Sequence, residues 1–143
     1  MAYATTADLI RRFGQQELVR LTTPAGEDMD GVVVATAEAA LEDASAVMDS
    51  YLRKQVRTPL DLAPREVGLY CGDIARHILS TGDGKTPGEE VQKRYDEAMR
   101  WLRDVANGVV KLDADEVVAG DESFAQVRER DTSAAPFGRA GYL

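Results

Sequence analysis

The fold is decided by residues 64–80, whose sequence is PREVGLYCGDIARHILS. The pattern predicts a helix that opens with a proline, where the missing backbone N–H has no helical partner to lose. Its apolar positions form a band wider than the stripe of a surface helix, so we expect this helix to pack on two sides at the centre of the domain. These positions are Val67, Leu69, Tyr70, Cys71, Ile74, Ala75, Ile78 and Leu79.

Small residues lie along one narrow strip of this central helix. Gly68, Gly72 and Ala75 are spaced by four and three residues, and each interior glycine costs about 1 kcal/mol of helix stability relative to alanine. We expect the close approach of another helix backbone to offset this cost. The strip, together with Ile74 and Ile78, is therefore predicted to form the packing surface of the central helix.

Two short helices are predicted near the N-terminus. Thr5 can cap the first, and Asp8, three residues later, can reach back to the backbone of the cap. Gly14 ends this helix, and a second helical piece follows over residues 15–21. Arg11 and Arg12 could pair with phosphates or acids, but the default expectation is that they are solvated on the surface of the first helix.

Two longer helices flank the central one. Apolar residues that recur every three or four positions predict one helix over residues 31–54 and another over residues 87–107. The sequence therefore predicts an all-α fold, a small bundle of about four to five helices, over residues 1–112.

Large apolar side chains are expected to anchor the end of the helix over residues 31–54. That helix is otherwise rich in alanine, which buries little apolar area per residue. The connection that follows carries Leu60 and Leu62, which we expect to pack onto the core. The predicted anchors are Val47, Met48, Tyr51 and Leu52.

Residues 113–143 differ in character from the rest of the chain. They contain seven acidic residues and three arginines, and they show no helical stripe of any length. Such a segment cannot bury enough apolar surface to fold alone. We predict an extended, acidic C-terminal tail that orders when it binds a partner. The residues expected to dock are Phe124, Arg128, Phe137, Arg139, Tyr142 and Leu143.

The composition describes a single acidic domain. The 143 residues carry 17 basic and 25 acidic side chains, for a net charge of -8. This balance disfavours DNA binding through a basic face, because like charges repel at long range. No apolar run approaches the roughly 20 residues that a membrane span needs, and the N-terminus lacks the pattern of a signal peptide. We expect the protein to be made and kept in a cytoplasm.

The residues that could carry catalysis are sparse. His77 is the only histidine and Cys71 the only cysteine. We interpret His77 as a helix-boundary side chain paired with Asp73, and Cys71 as a buried, unreactive thiol, because it lies on the apolar face of the central helix. Neither the acidic loop at residues 26–31 nor the Gly-Lys-Thr at residues 84–86 completes a calcium or phosphate-binding motif. The sequence predicts neither an enzyme nor a cofactor or metal site.

Four ordered segments carry a family resemblance. Taken together they resemble the small phage protein family typified by a Mu-like phage morphogenesis protein that is encoded near the major head protein. The resemblance covers roughly residues 3–112. The segments are residues 3–22, residues 39–52, residues 70–76 and residues 91–102, with their most similar parts at DLIRRFG, AALEDAS, YCGDIAR and VQKRYDEA.

This resemblance implies a structural role in a virion. The family is similar in fold to the head–tail adaptor proteins of long-tailed phages, which are small helical subunits that form a ring, commonly of twelve, beneath the portal. The implied partners are further copies of the chain, the portal protein and a neck stopper or tail protein. DNA would pass through the ring without sequence-specific binding. The implied location is the neck of the virion, after synthesis in the host cytoplasm.

Two other functions remain open from the sequence. A neck stopper or tail-completion protein would belong to the same particle, but those proteins tend to be rich in strands. A phage-encoded regulatory binding module would belong to another class. It would need a basic recognition helix, whereas the most basic stretch, residues 93–103, is balanced by its own acids.

Overall fold

A computed structural model of the chain describes residues 2–82 and 84–113. Within these residues the fold is an α-helical bundle without strands, which confirms the predicted fold class. The tail residues predicted to dock, from Phe124 to Leu143, lie outside the described residues. The helices are α1 (Thr6–Phe13), α2 (Gln15–Thr22), α3 (Val34–Leu52), α4 (Arg65–Thr81) and α5 (Glu89–Ala106).

Local signals place the start of α1. The Thr5 hydroxyl accepts a hydrogen bond from the backbone N–H of Asp8 at 3.1 Å. The Asp8 carboxylate accepts one in return from the backbone N–H of Thr5 at 3.0 Å. This is the predicted capping box, which satisfies two N–H groups at the helix end. Gly14 follows with a φ of 93°, a value that glycine adopts without strain, and separates α1 from α2.

Helix α3 begins at Val34 rather than at the predicted Gly31, and Val33 is its N-cap in an extended conformation. The backbone N–H of Val33 donates to the buried hydroxyl of Thr22 at 2.9 Å, which ties the start of α3 to the end of α2. The last helix also begins later than predicted, because Gly88 is its N-cap and Pro87 lies before it.

The core lies where α4 packs on α3 and on α5. The pair α1 and α2 covers another side of α3, and α2 also contacts α4. Val67, Cys71, Ile74 and Ala75 of α4 are almost fully buried. The central position predicted for this helix is therefore observed.

The predicted anchors of α3 divide into two groups. Met48 and Leu52 are completely buried, whereas Tyr51 is partly buried and Val47 is 37% exposed. In the following connection Leu60 packs into the core, but Leu62 is 88% exposed, contrary to the prediction. In an extended chain, residues two positions apart face the same side. The chain bends at residues 61–62, so Leu62 does not follow Leu60 into the core.

Tyr3 ties the N-terminal segment to the bundle. Its backbone N–H donates to the Ser45 hydroxyl at 3.0 Å. Its own hydroxyl donates to the Asp49 carboxylate and accepts from the backbone N–H of Leu60 at 3.0 Å. Burial and the Asp49 carboxylate raise the pKa of Tyr3 to about 12. One phenol therefore joins the N-terminus, α3 and the connection before α4.

Replacement of Tyr3 by phenylalanine tests this junction. We expect Tyr3→Phe to lower the free energy of unfolding by about 1 to 3 kcal/mol, because the variant leaves Asp49 and the Leu60 N–H without their partner. Urea denaturation at pH 7 measures this loss. Tyr51→Phe is the matched control, since the Tyr51 hydroxyl makes no hydrogen bond within the described residues.

The same variant has a signature at alkaline pH. The pKa of Tyr3 is higher in the folded protein than the ordinary tyrosine value of 10.0. The folded state therefore binds more protons than the unfolded state between about pH 10 and 12, and stability falls as the pH rises through this range. We expect a shallower fall in Tyr3→Phe than in the Tyr51→Phe control. Equal slopes in the two variants would contradict the assignment.

Candidate functional site

The glycine strip of α4 is a docking point for an arginine rather than for a helix backbone. A Cβ atom on Gly72 would lie 2.8 Å from Nη1 of Arg12. Because glycine leaves this space open, Nη1 donates to the backbone carbonyl of Leu69 at 2.8 Å, and Nη2 donates to Oδ1 of Asp73 at 3.0 Å. Arg12 is thus held against α4, and the prediction that it is solvated on the surface was wrong.

The second glycine of the strip faces the N-terminal segment. A Cβ atom on Gly68 would lie 3.1 Å from the backbone carbonyl oxygen of Tyr3. The close approach expected at the strip thus comes from an irregular segment at Gly68. The remaining members of the predicted packing surface are Ala75 and Ile74, which are buried, and Ile78, which is partly buried at the edge of the core.

Asp73 is a buried carboxyl that depends on its cationic neighbours. Only 8% of its side chain is exposed. Burial raises its pKa above the usual value, while the charge and the hydrogen bond of Arg12, and the charges of Arg94 and Arg76, act in the opposite direction. Arg12 is therefore the neighbour that lowers the pKa of Asp73 most strongly against the effect of burial.

Arg76 forms a second ion pair, one helical turn further along α4. It donates to Glu17 through Nε at 2.6 Å and through Nη2 at 3.1 Å, a two-point contact that fixes orientation as well as distance. Its Nη2 also lies 3.7 Å from Glu90 of α5. Only 10% of the Arg76 side chain is exposed, so this pair contributes to packing between helices rather than to the surface.

Phe13 lies between the two arginines. The guanidinium carbon of Arg12 is 4.7 Å from the centre of its ring, and that of Arg76 is 4.2 Å away. Both distances are within the range of cation–π attraction. We refer to Arg12, Phe13, Glu17, Asp73 and Arg76 as the arginine clamp, since together they join α1 and α2 to α4.

His77 has a different partner from the predicted one. Asp73 is paired with Arg12, and Nε2 of His77 lies 3.1 Å from Oε1 of Gln92. The imidazole also stacks on Tyr95 with ring centres 3.8 Å apart. These contacts place His77 between α4 and α5 as a packing residue.

Cys71 is buried between α3 and α4. Its Sγ lies 3.4 Å from the Ser45 hydroxyl, and burial raises its pKa. Thiolate formation is therefore disfavoured, which suits a residue that packs rather than reacts.

The described residues offer neither a metal site nor a membrane span. Residues 2–82 and 84–113 contain no group of three or more His, Cys, Asp or Glu side chains arranged to hold a metal ion. No helix in the same part of the chain combines the length and the hydropathy of a membrane span.

The sequence did contain a signal for the arginine clamp. Asp73 and Arg76 lie in a helix predicted to be buried on two sides, and buried charges need partners. The partners, Arg12 and Glu17, lie 61 and 59 residues before Asp73 and Arg76 in the sequence, so the pairing itself could not be derived from local spacing.

Replacement of Arg12 tests the clamp. We expect Arg12→Ala to lower the free energy of unfolding by about 2 to 4 kcal/mol, because removing one member of a buried pair leaves the other charge uncompensated. Arg11→Ala is the control. Arg11 pairs with Asp8 on the surface, and its loss should cost about 0.5 kcal/mol or less. Chemical denaturation at pH 7 distinguishes these outcomes.

The loss in Arg12→Ala should depend on pH. Without Arg12 the folded-state pKa of Asp73 rises further above its unfolded value, so the penalty is present above that pKa and is relieved as the pH falls and the carboxyl binds a proton. The stability difference between wild type and Arg12→Ala should therefore shrink between pH 7 and pH 5. A difference that is constant or grows at acidic pH would contradict this role for Arg12.

Comparison with known proteins assigns the chain to a family. A family model described as Bacteriophage Mu, Gp36 matches residues 3–128. The chain therefore belongs to the phage Mu Gp36 family, which confirms the resemblance to a Mu-like phage family.

Two relatives extend this assignment. The chain is 31% identical over 140 residues to the Mu-like prophage FluMu protein gp36 of Haemophilus influenzae, across 92% of this chain and 95% of the relative. It is 35% identical over 111 residues to gene product J of Escherichia phage Mu, across 76% of this chain and 74% of that protein. The similarity to both proteins includes most of their length.

Proposed function

We propose that the protein is a structural component of the phage neck, a head–tail adaptor that forms a ring beneath the portal. The observation that carries the proposal is membership of the phage Mu Gp36 family over residues 3–128. The ring would extend the DNA channel and dock the next neck or tail protein. Its partners would be further copies of the chain, commonly twelve in such rings, and the portal protein.

The packing of the bundle supports a structural role. The arginine clamp joins α1 and α2 to α4, and Tyr3 joins the N-terminal segment to α3. A subunit whose helices are fixed by buried charged contacts presents its outer surfaces in a constant arrangement. Such constancy suits a ring in which every copy repeats the same contacts.

The charge of the chain supports a role beside DNA rather than on it. A net charge of -8 opposes adhesion to a polyanion that must slide through a channel. We therefore propose that DNA passes without sequence-specific binding and that the protein acts by assembly rather than by catalysis. The acidic segment 113–143 would dock on the portal or on a neighbouring copy.

The fold also bears on the alternatives. A neck stopper or tail-completion protein tends to be rich in strands, whereas the described residues form helices. A regulatory module that binds DNA would need a basic helix. Residues 89–106 instead carry five acids beside four basic residues. The adaptor is therefore the function that we favour.

A deletion in the parent phage tests the proposal. We expect particles without this protein to have filled or partly filled heads that carry a portal but no tail, because the docking surface for the tail is missing. Electron microscopy of lysates shows the particles, and mass spectrometry of wild-type virions detects the protein. Expression of the wild-type chain from a plasmid should restore tailed particles. Infectious tailed virions that lack the protein would overturn the proposal.

A further inference from the structure

The exposed side of α3 has no partner within the described chain. We define the α3 outer face as Ala35, Glu38, Ala39, Glu42 and Ala46, which are all exposed and recur at three- and four-residue steps along one side of the helix. Val34 and Val47, which are 49% and 37% exposed, lie near its two ends. The small alanine side chains make this surface apolar and nearly flat, so another molecule can approach it closely.

The charges on this face are of one sign. Helix α3 contains acidic residues and no lysine or arginine. Glu38 and Glu42 are four residues apart, a spacing at which like charges destabilise a helix. Neither residue forms an ion pair within residues 2–82 and 84–113. The face therefore favours contact with a basic surface.

One part of helix α5 is locally basic, although the helix as a whole carries one more acid than base. We define the α5 outer face as Tyr95, Asp96, Met99, Arg100 and Arg103, which line an open depression of about 410 Å³. Arg100 and Arg103 are exposed and form no ion pair in the described part of the chain. The only acid in the lining, Asp96, accepts a hydrogen bond from Gln92 at 3.0 Å. Met99 and Tyr95 add the adaptable and aromatic contacts that are common at protein interfaces.

We propose that the α3 outer face of one copy packs against the α5 outer face of a second copy of this chain. The carboxylates of Glu38 and Glu42 would meet the guanidinium groups of Arg100 and Arg103, and the alanines of α3 would allow the side chains of the α5 depression to reach its backbone. This inference rests on the proposed function, because it specifies the contact between neighbouring subunits of the ring.

The two faces are unlike and belong to different helices. A contact between them is therefore heterologous, and a pair of bound copies still has one free face of each kind. Repetition of such a contact gives a closed ring when the rotation between copies closes. A contact between two α3 faces would instead bring acid against acid and would end at a dimer.

Charge reversal on each face provides the test. Variant A carries Glu38→Lys and Glu42→Lys, and variant B carries Arg100→Glu and Arg103→Glu. Either variant alone brings like charges together at every contact, and we expect its self-association constant to fall at least about tenfold. Analytical ultracentrifugation of the full chain, alone and with portal rings, measures assembly. Circular dichroism checks that the exposed substitutions leave the helices intact.

An equimolar mixture of the two variants is the decisive measurement. The lysines of variant A then face the glutamates of variant B, and the unchanged faces meet in the other contact, so alternating copies should assemble as the wild type does. Asp28→Lys with Asp30→Lys, and Lys54→Glu with Arg65→Glu, are control pairs with the same changes in charge at other exposed positions. We expect both controls to assemble without a partner.

The outcomes separate this inference from the proposed function. Restored assembly in the mixture supports the contact between α3 and α5. If variant A or variant B assembles normally alone, the proposed contact is overturned but the adaptor role is not. That result is expected if the α3 face lines the channel instead. Loss of assembly that the mixture does not restore also overturns the contact. A wild type that remains monomeric, even with portal rings, overturns both.

Discussion

The ion pair between Arg12 and Asp73 is the contact on which the arrangement of the helices depends. It exists because Gly72 leaves space for a guanidinium beside α4, where any larger residue would place a Cβ atom 2.8 Å from Nη1. Once Arg12 is in place, Phe13 lies between it and Arg76, and Arg76 reaches Glu17. Helices α1 and α2 are short and bury few large side chains. These charged contacts therefore fix their position on α4. A buried charge without its partner costs several kcal/mol, so alternative positions are disfavoured.

Much of the fold was predictable because its signals are local. The central helix, the Thr5 and Asp8 capping box and the helical class follow from periodicity and from side chains within four residues of each other. Local signals failed where a distant group decides the structure. Helix α3 starts three residues later than predicted, where Val33 bonds the distant Thr22 hydroxyl, and the chain bends at residues 61–62, where Leu62 is exposed. The glycine strip indicated a close approach, but its spacing alone could not show whether a helix, an irregular segment or an arginine approaches.

The candidate site was predicted less completely, for a related reason. Sequence patterns identify the residues that are unusual for their surroundings, such as Asp73 in a buried helix, but a pair formed across 61 residues has no characteristic spacing. His77 illustrates the same limit. Asp73 is its neighbour by helical spacing. In the structure, however, Asp73 pairs with Arg12, and His77 contacts Gln92 and Tyr95. The tail from residue 113 was predicted from composition, and beyond Asp113 it lies outside the described residues.

The charges of the described residues serve two separate purposes. Arg12, Asp73, Arg76 and Glu17 are paired inside the molecule, whereas the acids of the α3 outer face and the arginines of the α5 outer face are unpaired on its surface. A chain with a net charge of -8 repels its own copies at long range, but salt screens this repulsion beyond about 8 Å at physiological ionic strength. At contact distance the local charges therefore decide whether copies attract. An acidic protein can assemble with itself if unpaired basic residues cluster on one of its faces, as Arg100 and Arg103 do on the α5 outer face.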